Sequence, residues 1–172
     1  MSSSTTSVAT SGCATPTAAF RIQPLNFPNT YLTTVNGGSI PTSDHNSMTT
    51  TSNLVNATTF NPVSDGEITV NQASGGANAL YSDQQQPYGG NGPIFLDTVN
   101  SLQNTQSYGA GVVTRQPITF CLQADNTFLV SNPAVPGANV VAICGGLISL
   151  YTQANYTAQG SSCSRLKLTV AY

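Results

Sequence analysis

Charged side chains are scarce in this sequence. Lysine and arginine together number four and aspartate and glutamate six, so charged residues make up 6% of the chain, where about 25% is usual. Neither sign forms a cluster and the net charge is only −2, so the chain carries no electrostatic footprint for nucleic acid or for an anionic membrane surface. Ser, Thr, Asn and Gln supply the polarity instead, which is unlike the surface of a typical cytosolic protein.

Long apolar segments are also missing. No apolar run approaches the ~18 residues that would span a bilayer, so we expect no membrane insertion. The chain does not open with a basic segment followed by an apolar one, as a signal peptide would. Because other features below favour secretion, we expect that a signal peptide has been removed.

Residues suited to catalysis are few. His45, the only histidine, lies beside Asp44 in a polar stretch, but no Gly-x-Ser-x-Gly nucleophile motif accompanies it. Asp65 and Glu67 would share one face of a strand at about 6–7 Å, near the carboxylate spacing of inverting glycosidases. However, Asp65-Gly66 is also a common turn dipeptide, and the turn interpretation is favoured. The sequence therefore predicts no enzyme and no cofactor.

A period of two near residue 120 predicts a β-hairpin. Residues 118–123 alternate apolar and polar side chains, and after Asp125-Asn126 the chain resumes with Thr127-Phe128-Leu129-Val130. Asp and Asn tolerate the positive φ that a tight turn requires. Two strands joined at Asp125-Asn126 are the expected result.

One further strand pair and a final strand are indicated closer to the C-terminus. The β-branched run 140–144 precedes Gly145-Gly146, and 147–151 is the expected returning strand. In the last segment Leu166, Leu168, Val170 and Tyr172 alternate with Arg165, Lys167, Thr169 and Ala171. This alternation predicts one final strand with one face in the core and the other in water.

These patterns predict a single all-β domain of ten to twelve short strands, because turn residues recur every eight to twelve positions and no helical apolar period persists. The patterns are compatible with three all-β folds: a sandwich, a barrel and a β-trefoil. The trefoil-like arrangement is favoured over the sandwich because residues 59–70 and 119–130 repeat a Thr-Phe pair, an Asp turn and an apolar triplet. The domain is expected over residues 20–172, after a Ser/Thr-rich tail or stalk at 1–19.

The cysteines and glycosylation acceptors indicate an extracellular protein. Cys13, Cys121, Cys144 and Cys163 show no CxxC spacing, so disulfides are expected rather than zinc. Of three possible connectivities, Cys144–Cys163 with Cys13–Cys121 is favoured, because the first pair would join the penultimate hairpin to the last strand. N-glycosylation acceptors are found at Asn56 and Asn155.

Several segments share a layout with known proteins. They are Phe20-Arg21-Ile22-Gln23, the hairpin from Ala57 to Val70, Ala142-Ile143-Cys144 before Leu150-Tyr151, and Ser162-Cys163 before the final strand ending in Ala171-Tyr172. The layout, over residues 20–172, resembles that of small fungal secreted proteins: cell-wall proteins of spore-forming cells and related IgE-binding proteins. The resemblance implies a secreted or wall-associated domain, a Cys144–Cys163 disulfide and no established catalytic site. Those proteins usually carry a Trp or Pro near the Cys144 region, and this chain has no Trp.

Two functions follow as expectations. The first is a structural component of a fungal cell wall, spore coat or extracellular self-associating assembly, whose partners are copies of itself or other matrix components. The alternative is a carbohydrate-binding, lectin-like surface module. Tyr88 and Tyr108 in Gly-rich stretches are its candidate glycan contacts, because tyrosine offers an apolar ring and a polar tip.

Overall fold

The computed structural model describes residues 14–35, 46–63, 66–71, 77–85, 92–98, 113–133 and 135–172, and these form fourteen β-strands. The strands are β1 (Arg21–Pro24), β2 (Tyr31–Thr34), β3 (Asn46–Thr51), β4 (Asn61–Pro62), β5 (Ile68–Asn71), β6 (Ala77–Gln85), β7 (Gly92–Thr98), β8 (Val113–Pro117), β9 (Thr119–Leu122), β10 (Phe128–Ser131), β11 (Ala138–Cys144), β12 (Leu147–Thr152), β13 (Cys163–Arg165) and β14 (Leu168–Ala171). The all-β prediction is confirmed. The count exceeds the ten to twelve expected, and the preference for a trefoil stays a prediction.

Both hairpins predicted in the C-terminal half are present. β9 pairs antiparallel with β10, and Asn126 adopts φ +62° in the turn between them. The Asp125 carboxylate accepts hydrogen bonds from the Thr127 amide at 3.1 Å and the Thr127 hydroxyl at 2.6 Å, which fixes this turn. β11 pairs with β12 across Gly145 and Gly146, whose φ values of +57° and +85° fit a two-residue primed turn.

The predicted final strand is divided between two partners. β13 pairs with β11, whereas β14 pairs with β1, and Leu166 and Lys167 connect them. The expectation of one continuous strand over 165–172 was therefore wrong, because the segment changes its hydrogen-bonding partner midway. Tyr172 is 74% exposed rather than buried, since the register ends at the Arg21↔Ala171 pair. Pairing of β1 with β14 joins the two ends of the domain.

Four phenylalanines form the centre of the main core. Phe20 lies 6.0 Å from Phe60 and 5.7 Å from Phe128 between ring centroids, and Phe120 meets Phe128 edge-on at 5.8 Å. The Phe20 and Phe60 amides each donate to the other residue's carbonyl, at 2.9 and 2.7 Å. Each of the two sequence repeats thus contributes phenylalanine to one shared core.

A second, smaller apolar cluster lies on the other face of β11. It contains Val140, Ala142, Tyr151 and Cys163, with Cys144 and Tyr156 packed against it. Strand β11 is therefore covered on both faces, since its Val141 belongs to the main core. The short helix α1 (Gln153–Ala158) packs beside this cluster against β11 and β12.

Helix α1 was not expected from the sequence. Its N-terminus is capped by the Thr152 hydroxyl, which accepts from the Asn155 amide at 3.3 Å. None of its six residues is buried, so it has no apolar stripe that a search for helical periodicity could detect. Two 3-10 turns span Leu54–Asn56 and Gly160–Ser162.

The segment before β1 approaches the hairpin of β9 and β10. Ala14 forms an antiparallel bridge with Leu122, whose amide donates to the Ala14 carbonyl at 3.1 Å, and Pro16 is buried. Residues 1–13 of the predicted tail lie outside the described part of the chain. The boundary at residue 20 stays a prediction.

Candidate functional site

A groove of about 470 Å³ opens beside the connection between β13 and β14. Its lining comes from the β1–β2 loop, from β10 and its preceding turn, from β11 and from the connection itself: Asn26, Gln123, Thr127, Phe128, Leu129, Val130, Asn139, Val141, Arg165, Leu166, Lys167 and Leu168. The volume lies within the ~300–1,000 Å³ typical of small-ligand sites. The groove therefore has room for a small ligand.

Asn26 anchors one wall of the groove from a distant part of the chain. Its side-chain Nδ2 donates to the Arg165 carbonyl at 2.7 Å, and its Oδ1 accepts from the Lys167 amide at 3.4 Å. The Leu25 amide also donates to the Lys167 carbonyl at 2.8 Å. One loop thus occupies three main-chain groups of the Arg165–Lys167 segment.

The same segment is held from its other side. The Leu166 amide donates to the Val141 carbonyl at 2.8 Å, and the Arg165 amide donates to the Tyr156 hydroxyl at 3.1 Å. Leu166 and Leu168 are buried in the main core. Because its main chain is bonded to three other segments, this wall presents its cationic side chains from a rigid support.

Two of the four cationic residues of the chain, Arg165 and Lys167, line the groove. Lys167 Nζ lies 3.3 Å from Asp125 Oδ2, and both side chains are exposed. Hydrogen bonds from Thr127 hold the pKa of the Asp125 carboxyl below its usual value, and Lys167 adds to the effect. The Arg165 guanidinium makes no hydrogen bond or ion pair with any described residue. The groove therefore keeps one uncompensated positive charge.

Amide and apolar side chains complete the binding surface. Asn139 and Gln123 offer both donors and acceptors, and Leu129 is 49% exposed at the groove. None of the lining residues is an Asp, Glu, His, Cys or Ser. The arrangement is thus suited to holding a polar or anionic molecule.

The Cys144–Cys163 disulfide predicted from the sequence is present. The two residues are register partners of β11 and β13 with Cα atoms 4.4 Å apart. The Tyr151 hydroxyl donates to Cys144 Sγ at 3.0 Å. Cys121 is also disulfide-bonded, but Cys13, its expected partner, lies outside the described residues. That second pairing stays a prediction.

Both predicted glycosylation acceptors are half-buried. Asn56 ends a 3-10 turn, and its carbonyl accepts from the Thr33 hydroxyl at 2.5 Å. Asn155 lies in α1, where Thr157 of the same acceptor motif donates through its hydroxyl to the Gln153 carbonyl at 2.9 Å. Modification of either asparagine stays a prediction.

Of the remaining predicted residues, Glu67 alone lies in the described part of the chain, and it does not line the groove. Tyr88, Tyr108, His45 and Asp65 lie outside the described part of the chain. Glu67 is exposed and immediately precedes β5. Its main-chain carbonyl accepts a hydrogen bond from the Val63 amide at 2.9 Å.

Sequence reasoning missed the residues that line the groove. The alternation of the last segment did place Arg165 and Lys167 on a solvent-facing side, and these are half of the basic residues in the chain. The position of these two basic side chains on one face of the segment was an available signal. The contribution of Asn26 was not, because it meets Arg165 across 139 positions of sequence.

Across the described ranges, no group of three or more His, Cys, Asp or Glu side chains could hold a metal ion. The helices found there are too short or too polar to cross a membrane. Comparisons of the chain with family models, with curated proteins and with solved structures found no match.

Proposed function

We propose that this chain is a secreted structural domain of a fungal cell wall, spore coat or other extracellular assembly, associating with copies of itself or with other matrix components. The observation that carries the proposal is the Cys144–Cys163 disulfide within the second apolar cluster. Such bonds persist in oxidising compartments and are rare in the cytosol. The layout shared with fungal wall proteins and the acceptors at Asn56 and Asn155 support the same location.

The composition of the surface supports association. With a net charge of −2 over 172 residues, electrostatic repulsion between copies is weak. Val55 is 89% exposed on the 3-10 turn of residues 54–56, where its amide is fixed by a 3.0 Å bond to the Asn53 side chain. Its neighbour Leu54 is 48% exposed, so this turn exposes two adjacent apolar side chains that contact between copies would bury.

Strand addition is restricted at two edges of the ten-stranded sheet. β4 and β13 end the main path of this sheet, and β2 and β8 are attached beside it through β3 and β6. Pro62 in β4 lacks an amide hydrogen, and the Arg165 amide in β13 is already bonded to Tyr156. Both features limit pairing with the strand of another molecule.

Light scattering over a concentration series tests the structural proposal. We expect the purified chain to associate. If Val55 is buried in the contact, Val55→Ser should raise the protein concentration at which association occurs by about tenfold. Val63→Ser is the matched control, because Val63 is only 38% exposed. A strict monomer at high concentration would contradict the structural role.

A second function, a carbohydrate-binding surface module, is favoured by the groove at Arg165. Its amide side chains and the exposed Leu129 suit a ligand with hydroxyl groups and apolar C–H faces. Binding on a glycan array that is lost in Tyr88→Ala or Tyr108→Ala would place the glycan site at those tyrosines instead. We propose no catalytic role for the chain.

A further inference from the structure

We propose that the groove beside the β13–β14 connection binds a carboxylate-bearing saccharide, with the Arg165 guanidinium as the group that recognises the carboxylate. This inference rests on the carbohydrate-binding alternative above and names its ligand class. It begins from the two cations, Arg165 and Lys167, on the groove wall.

The two cations are not equivalent. Lys167 is already paired with Asp125 at 3.3 Å, so its charge is compensated in the free protein. Arg165 has no ion-pair or hydrogen-bond partner for its side chain anywhere in the described ranges. A planar guanidinium can bind a carboxylate through two parallel hydrogen bonds. Arg165 is therefore the cation available for an incoming anion.

The wall that carries Arg165 is prepared for binding by its main chain. The amides of Arg165, Leu166 and Lys167 and the carbonyls of Arg165 and Lys167 are all hydrogen-bonded to other segments. The main chain of this wall is therefore fixed before a ligand arrives, which limits the backbone freedom lost on binding.

The same bonds argue against an acidic peptide as the ligand. An extended peptide binds most readily by pairing its main chain with free main-chain groups of the protein, and here five such groups are occupied. Recognition at the Arg165–Lys167 wall must therefore come from side chains. The side-chain amide of Asn139 has no hydrogen bond within the described ranges. It offers both a donor and an acceptor, which is what sugar hydroxyls require.

The apolar part of the surface fits a sugar ring as well. Leu129 is 49% exposed at the groove and can pack against the C–H face of a pyranose. The space of about 470 Å³ accommodates a ligand of one or two sugar units.

The test is calorimetric titration of the full chain with a panel of acidic saccharides. The panel contains digalacturonate, a glucuronate disaccharide and N-acetylneuraminate, each beside its methyl ester, which has the same ring without the charge. We expect at least one acidic saccharide to bind and its methyl ester to bind at least tenfold more weakly. Added salt should lower the affinity for the acidic saccharide. Triglutamate is included as an acidic peptide.

Variants assign the site. Arg165→Gln should lower the affinity for the acidic saccharide tenfold or more. Arg165→Lys should recover part of that affinity, because lysine keeps the positive charge but cannot form the two parallel hydrogen bonds of a guanidinium. Arg21→Gln is the matched control: it removes the same charge from β1, outside the groove, where Arg21 Nε has no hydrogen-bond partner among the described residues. Equal melting temperatures of the variants would show that the fold is kept.

Each contrary result has a distinct meaning. Equal binding of acid and ester, unaffected by Arg165→Gln, would overturn the acidic ligand class and leave the carbohydrate-binding function standing. Equal losses in Arg165→Gln and Arg21→Gln would overturn the assignment to the groove, and preferential binding of triglutamate would overturn the saccharide. No binding to any saccharide, acidic or esterified, would overturn this inference and the carbohydrate-binding alternative together.

Discussion

Removing the Cys144–Cys163 disulfide should cost a large part of the stability of the domain. The two cysteines are 19 positions apart, and the loop-closure entropy of a loop of that length corresponds to about 3 kcal/mol. The whole free energy of unfolding of a domain is about 5–15 kcal/mol. For a chain of this size the loss corresponds to a fall in melting temperature of about 6–12 °C.

The double variant Cys144→Ala/Cys163→Ala is the suitable perturbation, because a reductant would also attack the disulfide of Cys121. Unfolding in urea and scanning calorimetry give the free energy and the melting temperature. Ser164→Ala, an exposed change next to Cys163, is the control and should behave as wild type. A loss below about 1 kcal/mol in the double variant would refute the loop-closure reasoning.

Three further predictions concern the core, one turn and pH. Phe60→Ala, at a side chain with 0% exposure, should lose about 3–5 kcal/mol in urea unfolding; a loss under about 1 kcal/mol would contradict the assigned core. Gly66→Ala should lower the melting temperature, since Gly66 has φ +80° and a new Cβ would lie 3.2 Å from the Phe120 carbonyl oxygen; an unchanged melting temperature would refute this. The lowered pKa of Asp125 contributes stability that is present above its usual value of 3.8 and is lost as the pH falls through the lower folded value. Asp125→Asn should remove this dependence in acid titration of stability, and identical acid profiles would contradict it.

The hairpins could be predicted from sequence because their determinants are local. Asp125-Asn126 and Gly145-Gly146 supply the backbone angles of the turns, and the flanking apolar alternation sets which side chains enter the core.

The division of the last strand could not be predicted in this way. The alternation through Leu166 and Leu168 continues unbroken, whereas the hydrogen-bonding partner changes from β11 to β1. That change depends on where distant strands lie, which the period of two does not encode. The groove depends on the same change, because it opens beside the connection that results and is fixed by Asn26 from the other end of the chain.

The structural role is tested most directly by sedimentation velocity of the protein released from its native source without reductant or denaturant. The account predicts species larger than a single chain, with no free thiols on labelling after denaturation. A single species of one chain's mass, carrying four free thiols, would contradict both the association and the extracellular location.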